Sequence, residues 1–362
     1  MQAWRVEQIT EAGALVRRPI DVPVPAADQY LVKVEAAGVA FGDTLIVRGK
    51  YQVKPPLPFT PGSDVVGRIV GAEGDPADGL RVASSTSRQG GFAEYVLVPK
   101  SEVVPIGEDT PAGVALALRS NFPTSLYALR HAGRLQAGET LLVHAAAGGV
   151  GSAALLLGKR AGARVIATAG GPQKLQLCRA LGADAVVDYR DGDWVEAVRA
   201  LAPQGVDVVY DPVGGDTGAQ SLRVLAFGAR YLVIGFAGGA LTQLPANRLL
   251  LHNASAVGVL WGEMRKRDPA LSAALTAEIY GAFRDGSLRP PPGRGYAFDQ
   301  LPQALAALEG RDTVGKVWID APATAKLGPM HCRSCPCCLT LPKFPMRLSA
   351  SAARASMSPS SR

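Results

Sequence analysis

A glycine-rich turn between an apolar strand and a helix is the part of this sequence that most directly suggests chemistry. It reads Leu141-Leu-Val-His-Ala-Ala-Ala-Gly-Gly-Val-Gly151 and continues into Ser-Ala-Ala-Leu-Leu-Leu-Gly-Lys. Such a turn lets backbone N–H groups approach a pyrophosphate at a helix N-terminus, where the helix dipole favours anions. In the pattern Gly-x-Gly-x-x-Gly, Ala146 takes the first position, Gly148 the second and Gly151 the third. The turn predicts a dinucleotide site, with an ordinary strand–helix turn as the alternative.

The strand after this helix bears on which dinucleotide is bound. Residues 164–169 complete a βαβ unit, and the strand ends in Thr168-Ala-Gly-Gly171 without the acid that usually binds the ribose 2′-hydroxyl of NAD. Lys174 follows, and Tyr189-Arg190 ends the next predicted strand. Cations and donors suit a 2′-phosphate, which a carboxylate would repel. The pattern favours NADPH over NAD, although Lys174 could instead be a solvated lysine in a first helical turn.

The alternation of elements predicts an α/β fold with a doubly wound parallel sheet. Apolar strands are predicted at 141–146, 164–169, 185–189, 206–211 and 230–235, with helical stretches between them. The first hundred or so residues instead show short alternating runs punctuated by Gly and Pro, which is typical of a mostly antiparallel β domain. A cleft between two such domains is where ligands tend to bind.

The C-terminal part predicts a return to the β domain and then a change of character. Helices are expected over Ala270 to Arg284 and Leu301 to Glu309, followed by a strand at 315–320. The resulting domain boundaries are 1–115 for the first catalytic part, 116–265 for the dinucleotide-binding domain and 266–320 for the second catalytic part. Residues 321–362 are rich in Ser, Pro and Arg, lack periodicity, and are predicted to be a disordered, atypical tail.

Charge and cysteine usage limit the possible partners and location. Six of the Lys and Arg residues lie after Asp320, where there is no acid, so the net charge of +7 leaves about +1 for the body. A nearly neutral body without a basic stripe argues against nucleic acid. Four of the five cysteines also lie in the tail, and Cys178 stands alone. With no signal-peptide pattern and no apolar run of membrane-spanning length, we expect a cytoplasmic protein with no membrane partner.

Several blocks resemble one family, the zinc-free medium-chain dehydrogenases/reductases, and within it the NADPH:quinone oxidoreductases. The blocks span about residues 1–320 and include Ala36-Ala-Gly-Val-Ala-Phe-Gly-Asp43, Arg48-Gly-Lys-Tyr51, Leu57-Pro-Phe-Thr-Pro-Gly62, Ala145-Ala-Ala-Gly-Gly-Val-Gly151, Val208-Val-Tyr-Asp-Pro-Val-Gly-Gly215 and Gly315-Lys316. The resemblance implies a Rossmann sheet with a GroES-like catalytic domain. It also implies NADPH as cofactor, hydride transfer to a small-molecule quinone or α,β-unsaturated carbonyl, and a homodimer.

The resemblance also implies cofactor-binding residues at matching positions of this chain. Thr124 would line the nicotinamide and pyrophosphate path with the turn residues Ala147, Gly148, Gly149 and Val150. The adenosine 2′-phosphate would be held by Gly170, Lys174 and Tyr189. Near the domain junction, further contacts would come from Phe236, Trp261 and Arg311.

One position departs from the family pattern. The family has Asn before the Phe of the first block, and this chain has Ala40. An amide near the nicotinamide or substrate is missing, and loss of one well-placed donor can remove about 2.7–4 kcal/mol of transition-state stabilisation. A non-catalytic NADPH-binding sensor or structural protein is therefore the alternative function.

Three side chains are candidates for the chemistry of a metal-free reduction. Negative charge grows on the substrate oxygen as hydride arrives, and a proton must follow. Tyr51 could donate at that oxygen, or it could be a packed loop tyrosine. Arg48 could stabilise the charge or pair with an acid, and Asp43 is expected mainly to hold the loop.

Other chemistries are disfavoured by missing residues. Zinc-dependent relatives need Cys and His ligands in the N-terminal domain, and residues 1–130 contain neither. The tail cluster around Cys335 and Cys337 lacks predicted structure to hold a metal. No Gly-x-Ser-x-Gly elbow indicates a serine hydrolase, so His144 and His131 are expected to be packing or surface residues. A methyltransferase would lack its acidic partner after the second strand.

Overall fold

A six-stranded parallel sheet forms one half of the structure, a computed structural model that describes residues 1–322 apart from 11–12, 53, 73 and 87–88. Its strand order is β10-β9-β8-β11-β12-β13. The strands are β8 (Thr140–Val143), β9 (Arg164–Ala169), β10 (Ala185–Asp188), β11 (Val206–Asp211), β12 (Leu225–Val233) and β13 (Ser255–Gly258). The helices of this half are α2 (Ala112–Tyr127), α3 (Gly149–Arg160), α4 (Pro172–Ala180), α5 (Trp194–Leu201), α6 (Gly215–Ser221), α7 (Ala246–Leu251), α8 (Trp261–Arg267) and α9 (Pro269–Arg284).

The predicted doubly wound sheet is confirmed, with shifted strand ends and one additional strand. Central strands β8, β9 and β11 are largely buried, as expected for parallel strands covered on both faces. The strand predicted at 141–146 ends at Val143, because the chain turns sharply at Ala145, whose φ is +48°. The sequence analysis did not predict β13, an edge strand of only four mostly exposed residues, Ser255–Gly258.

Two helices of this half begin at acidic caps that the sequence encodes locally. The Asp193 carboxylate accepts from the N–H of Val195 at 2.9 Å at the start of α5. Asp268 does the same for Leu271 at 2.9 Å, with a proline in the first position of α9. Such caps satisfy N–H groups that have no acceptor within the helix, and they specify where each helix begins.

The other half is built on a seven-stranded sheet with a small two-stranded sheet beside it. The large sheet has the order β14-β15-β3-β4-β5-β7, and β6 also pairs with β3. Its strands are β3 (Gln29–Val39), β4 (Asp64–Val70), β5 (Arg81–Ser85), β6 (Tyr95–Pro99), β7 (Val104–Pro105), β14 (Arg294–Tyr296) and β15 (Val317–Asp320). The small sheet pairs β1 (Gln2–Val6) with β2 (Leu15–Pro19), and the helices of this half are α1 (Phe41–Ile46) and α10 (Leu301–Glu309).

The predicted return of the chain to the β-rich half is observed. Strand β15 pairs antiparallel with β3, with Val317 opposite Val39. In contrast, α9 packs with the parallel sheet, because Leu275 and Ile279 share a hydrophobic cluster with Leu141 of β8. Residues 269–288 therefore pack on the parallel sheet although they follow the predicted boundary at 265, and the domain limits stay a prediction.

The predicted tail lies outside the described residues except for positions 321 and 322. Among the described residues, no helix is both long and apolar enough to cross a lipid bilayer.

Candidate functional site

The glycine turn predicted from sequence forms an uncapped helix N-terminus. Helix α3 begins at Gly149, and Gly148 before it supplies no side-chain hydrogen bond to the first turn. The N–H of Gly148 donates to the Ala145 carbonyl at 2.9 Å, which closes the turn. The N–H groups of the first helical turn, including those of Gly149 and Val150, have no acceptor within the helix. They can bind an anion such as a pyrophosphate.

Neighbouring atoms approach two glycines of this turn closely, and at Gly151 the approach requires glycine. A Cβ at Gly151 would lie 2.2 Å from the Ala145 carbonyl oxygen and 2.8 Å from the Ala146 Cα. A Cβ at Gly149 would lie 2.5 Å from the Asn121 amide nitrogen on α2. The first contact is with backbone, so it cannot relax by a side-chain rotation. The helix thus sits against the turn at a separation that only glycine permits.

The returning C-terminal segment closes the other side of the turn. Gly315 donates its N–H to the Ala147 carbonyl at 2.8 Å, and a parallel bridge joins Gly148 to Gly315. Ala147 and Gly148, both predicted cofactor residues, are thereby held from the β-rich half. The turn lies where the two halves meet, which matches the expected position of a cleft.

Helix α2 supplies polar groups next to the turn. The Ser125 hydroxyl donates to the Val150 carbonyl at 3.0 Å and lies 2.9 Å from the Tyr210 hydroxyl. Predicted residue Thr124 is half-buried, and its hydroxyl donates to the Ser120 carbonyl at 2.8 Å. Asn121, which the sequence analysis did not single out, contacts Gly149 through its amide. No local pattern marks Asn121, because its contact depends on the packing of α2 against α3.

The predicted 2′-phosphate residues lie together at the end of β9. A Cβ at Gly170 would lie 2.7 Å from the Tyr189 hydroxyl oxygen, and one at Gly171 would lie 2.2 Å from an Arg190 guanidinium nitrogen. Lys174 stands in the first turn of α4 and donates its ammonium group to the Arg311 carbonyl. Burial lowers the pKa of Lys174. The structure therefore brings two cations and a phenol to one end of the sheet.

An acid that the sequence analysis missed also reaches this position. Asp188 ends β10 and accepts the Gly171 N–H at 2.8 Å. The Arg190 guanidinium, 3.2 Å from the same carboxylate, together with backbone N–H donors lowers the pKa of Asp188 to about 2. The sequence analysis considered only an acid at the end of the second strand. Asp188 ends the third strand, and it reaches Gly171 because β10 pairs beside β9.

The three remaining predicted cofactor residues have different surroundings. The Phe236 ring packs over Gly214, where a Cβ would lie 2.8 Å from its Cδ1 atom. Trp261 is buried and packs against Tyr127 with ring centroids 5.9 Å apart. Arg311 adopts a φ of +57° and lines a cavity of about 290 Å³ with residues of α1 and the loop after β12.

Arg48 and Asp43, two of the predicted catalytic residues, are held by specific partners. Arg48 lines the same cavity and forms a two-pronged ion pair with Glu309, one arm of which measures 2.9 Å. This is the acid-paired alternative left open by the sequence. Asp43 accepts the Ala40 N–H at 2.8 Å, so it ties the residue before α1 to the first turn of that helix. The N–H of Ala40 is occupied in this way, and its methyl side chain offers no donor.

Tyr51 packs next to this loop and remains a hydrogen-bond donor at neutral pH. A Cβ at Gly42 would lie 3.3 Å from the Tyr51 Cε2 atom, so the ring covers the start of α1. Burial raises the pKa of the Tyr51 hydroxyl, and the negative charge of Asp43 raises it further. Its phenolic proton is therefore retained for donation.

Asp43 belongs to a buried group of charges with Lys316 and Asp64. All three are at most 8% exposed. Burial raises the pKa of Asp43 to about 7 despite the positive charge of Lys316, and burial lowers the pKa of Lys316. The sequence analysis named Lys316 only as part of the pair Gly315-Lys316, one of the blocks that resemble the family. Nothing in the local sequence indicates that this lysine lies near Asp43 and Asp64.

We expect the stability of the protein to fall as Asp43 ionises. The folded state keeps the proton up to a pH of about 7, whereas the unfolded chain loses it near the ordinary value of 3.8. This contribution to stability is therefore fully present below about pH 4 and is lost as the pH rises towards 7. Relative to Asp43→Asn, the wild type should lose on the order of 2–3 kcal/mol between about pH 5 and pH 8. Urea unfolding at several pH values measures this difference, with Asp28→Asn on the exposed surface as control. A difference that does not change with pH would contradict the expectation.

The two histidines that the sequence analysis singled out, His131 and His144, have surroundings typical of packing and surface residues. His144 is buried, with its ring nitrogens 2.9 Å from the Thr168 hydroxyl and 2.8 Å from the Ser221 hydroxyl, and burial lowers its pKa. His131 is exposed and stacks on Tyr127, so both are packing or surface residues as predicted. Across the described part of the chain, no three His, Cys, Asp or Glu side chains come together in a possible metal site. These residues do not fit a bound zinc ion.

Comparison with known proteins agrees with this architecture. Family models for the alcohol dehydrogenase GroES-like domain and the zinc-binding dehydrogenase match residues 26–108 and 149–277. Quinone oxidoreductase-like protein 2 of Rattus norvegicus is 36% identical over 82% of this chain and 86% of its own length. Human quinone oxidoreductase is 31% identical over 88% of this chain and 97% of its own length.

Solved structures show the same fold. A mycobacterial protein complexed with NADPH superposes with a TM-score of 0.81 at 30% identity, covering 88% of this chain and 99% of its own. The quinone oxidoreductase of Thermus thermophilus, also solved with NADPH, has a TM-score of 0.74 at 31% identity, covering 88% of this chain and all of its own.

The two halves and the glycine turn between them define an oxidoreductase of the two-domain, nicotinamide-dependent class. The chain belongs to the medium-chain dehydrogenase/reductase family and is of the quinone oxidoreductase type.

Proposed function

We propose that this protein is an NADPH-dependent reductase that transfers hydride to a quinone or an α,β-unsaturated carbonyl compound without a metal ion. The observation that carries the proposal is that the fold provides two anion-binding positions, the uncapped N-terminus of α3 and the cations at the end of β9. The first suits a pyrophosphate and the second a 2′-phosphate. Lys174 and Arg190 are the cations, and Tyr189 adds a hydroxyl beside Gly170. Two of the similar proteins have been solved in complex with NADPH.

The balance of charges around Gly171 supports NADPH over NADH. Asp188 is ionised at neutral pH, but its charge is opposed by Arg190 and by the Gly171 N–H. Lys174, Arg190 and Arg311 are the cations at this position, and Asp191 and Asp312 are further acids near them. Because Arg190 and the Gly171 N–H already hold Asp188, a 2′-phosphate would meet the donors of Lys174, Arg190 and Tyr189, which the neutral 2′-hydroxyl of NADH does not require.

The residues of the cleft support a reduction with Tyr51 as the donor. When bound, the nicotinamide supplies hydride to the substrate. Tyr51 then donates its phenolic proton to the substrate oxygen, and the Arg48–Glu309 ion pair forms part of the wall of the neighbouring cavity. Asp43 holds the start of α1 through the Ala40 N–H, which keeps this side of the cleft in position.

Turnover of NADPH with a panel of quinones and enones tests the proposal. We expect the wild type to oxidise NADPH with at least one acceptor. Tyr51→Phe should lower kcat by about 100-fold, with KM for NADPH little changed. Tyr30→Phe, on β3, is the matched control. Absence of NADPH oxidation with every acceptor would refute the reductase.

A non-catalytic NADPH-binding protein is the second candidate, and Ala40 is the observation that favours it. Its side chain supplies no donor, and its N–H is taken by Asp43. Tight NADPH binding without turnover would support this alternative. Activity gained by Ala40→Asn would then identify this position as the cause.

We further propose a homodimer that forms through the outer edge of the parallel sheet. β13 is the terminal strand, and nearby Leu250 and Leu251 of α7 are 80% and 70% exposed. An unpaired strand edge with apolar neighbours favours pairing with a second copy. Light scattering should show a dimer for the wild type and a monomer for Leu251→Asp. Leu57→Asp, at an exposed leucine of the β-rich half, should remain dimeric. A dimeric Leu251→Asp would exclude this interface.

We also propose a cytoplasmic location. The only cysteine in the described ranges, Cys178, is buried and free, as expected in a reducing compartment.

A further inference from the structure

A second cavity, lined by no residue of the cofactor turn, lies where the β-rich half meets α2 and α9. Its volume is about 420 Å³, and it shares no lining residue with the cavity beside Arg48. We name it the arginine cavity, after Arg119 of α2 and Arg265 of α8, which line it together with Glu102. Its size is within the range of small-molecule sites, about 300–1,000 Å³.

The two arginines have more donors than the surrounding protein can satisfy. The side chain of Arg119 is 2% exposed, and that of Arg265 is 16% exposed. Both guanidinium groups share one carboxylate oxygen of Glu102, Arg265 at 3.4 Å. Among the described residues, no acceptor lies within hydrogen-bond distance of Arg119 Nε and Nη1 or of Arg265 Nε. Buried donors without an acceptor carry a large desolvation penalty, so a fold retains them for a reason.

The charge at this position calls for one further negative charge. Arg119 and Arg265 share the carboxylate of Glu102. The next acid, buried Asp64, is close enough to raise the pKa of Arg265 but also faces Lys316, so three buried cations share these two carboxylates. Burial and the nearby Arg119 charge lower the pKa of Arg265, as expected when two cations are held together. A monoanion would balance the group, whereas a dianion would exceed it and be repelled by Glu102. The fork of a guanidinium matches a carboxylate in geometry as well as charge.

The rest of the cavity wall is largely apolar. Val103, Val104 and Pro105 line it from the β-rich half, and Ala273 and Ala277 line it from α9. An occupant with a charged head near the arginines and a hydrocarbon body along this wall would satisfy both surfaces. We propose that the arginine cavity is a binding site for a small organic monocarboxylate with an apolar body.

Thermal unfolding in the absence of nucleotide tests this site independently of the proposed reductase activity. Octanoate, in the millimolar range, should raise the Tm of the wild type by several degrees. Uncharged 1-octanol and inorganic phosphate should not, because the first lacks the head group and the second lacks the apolar body. An absent shift with octanoate would mean that the cavity holds water only, and an equal shift with 1-octanol would exclude a carboxylate site.

Variants on α9 separate binding in this cavity from effects on folding. Ala277 is exposed at the rim of the cavity, so Ala277→Trp should fill the cavity and abolish the octanoate shift. Ala274→Trp, exposed on the same helix but away from the cavity, should retain it. Arg119→Gln should also lose the shift. If Arg119→Gln fails to fold, the comparison of Ala277→Trp with Ala274→Trp still tests the site. An octanoate shift that is unchanged in Ala277→Trp overturns the proposal.

Discussion

Gly151→Ala should abolish NADPH binding, with an increase in Kd of at least about 100-fold. The added methyl group would lie 2.2 Å from the Ala145 carbonyl oxygen, so helix α3 would have to move away from the turn. The first-turn N–H groups would then no longer converge on the pyrophosphate. Such overpacking against backbone should also lower the free energy of unfolding by about 1–3 kcal/mol. Fluorescence titration with NADPH and thermal unfolding measure the two effects.

Gly281→Ala is the matched control for this variant. Gly281 lies inside α9, and a Cβ there would meet no atom within 4 Å. Alanine should leave the Kd unchanged and raise stability by about 0.5–1 kcal/mol. If Gly151→Ala folded and bound NADPH as tightly as the wild type, the turn would not be the cofactor site.

Lys174→Ala should weaken NADPH binding selectively and leave NADH binding nearly unchanged. A hydrogen bond to a charged group contributes about 1.5–3 kcal/mol, which corresponds to a Kd higher by roughly 10–100-fold for the cofactor that carries the 2′-phosphate. Arg190→Ala should act in the same direction. It should also remove the ion-pair partner of Asp188, so that this carboxylate can accept a hydrogen bond from the ribose 2′-hydroxyl of NADH. Titration of each variant with both nucleotides measures this change in preference.

Lys266→Ala is the control for loss of a lysine charge, because Lys266 is exposed on α8. It should leave both dissociation constants unaltered. An equal loss of NADPH and NADH binding in Lys174→Ala would show that this lysine supports the fold of α4. The assignment of the 2′-phosphate position would then be wrong.

Much of the scaffold could be predicted because its signals are local. The buried strands β8, β9 and β11 are short apolar runs, and the turn between β8 and α3 is marked by small residues over a few positions. Helix α10 was predicted with its observed limits, Leu301–Glu309. The edge strand β13 was missed, because its four residues are too few to show the alternating pattern of a strand.

The amino-acid sequence by itself determined the fold class, the position of the glycine turn and the absence of an acid at the end of the second strand. These properties depend only on residue types and on how those residues are spaced over a few neighbouring positions. Only the tertiary structure decided that Asp188 reaches Gly171, that Glu309 holds Arg48, and that Arg119 and Arg265 share Glu102. Each of these contacts joins residues from separate elements, and local sequence carries no signal of which buried charges will meet when sheets and helices pack.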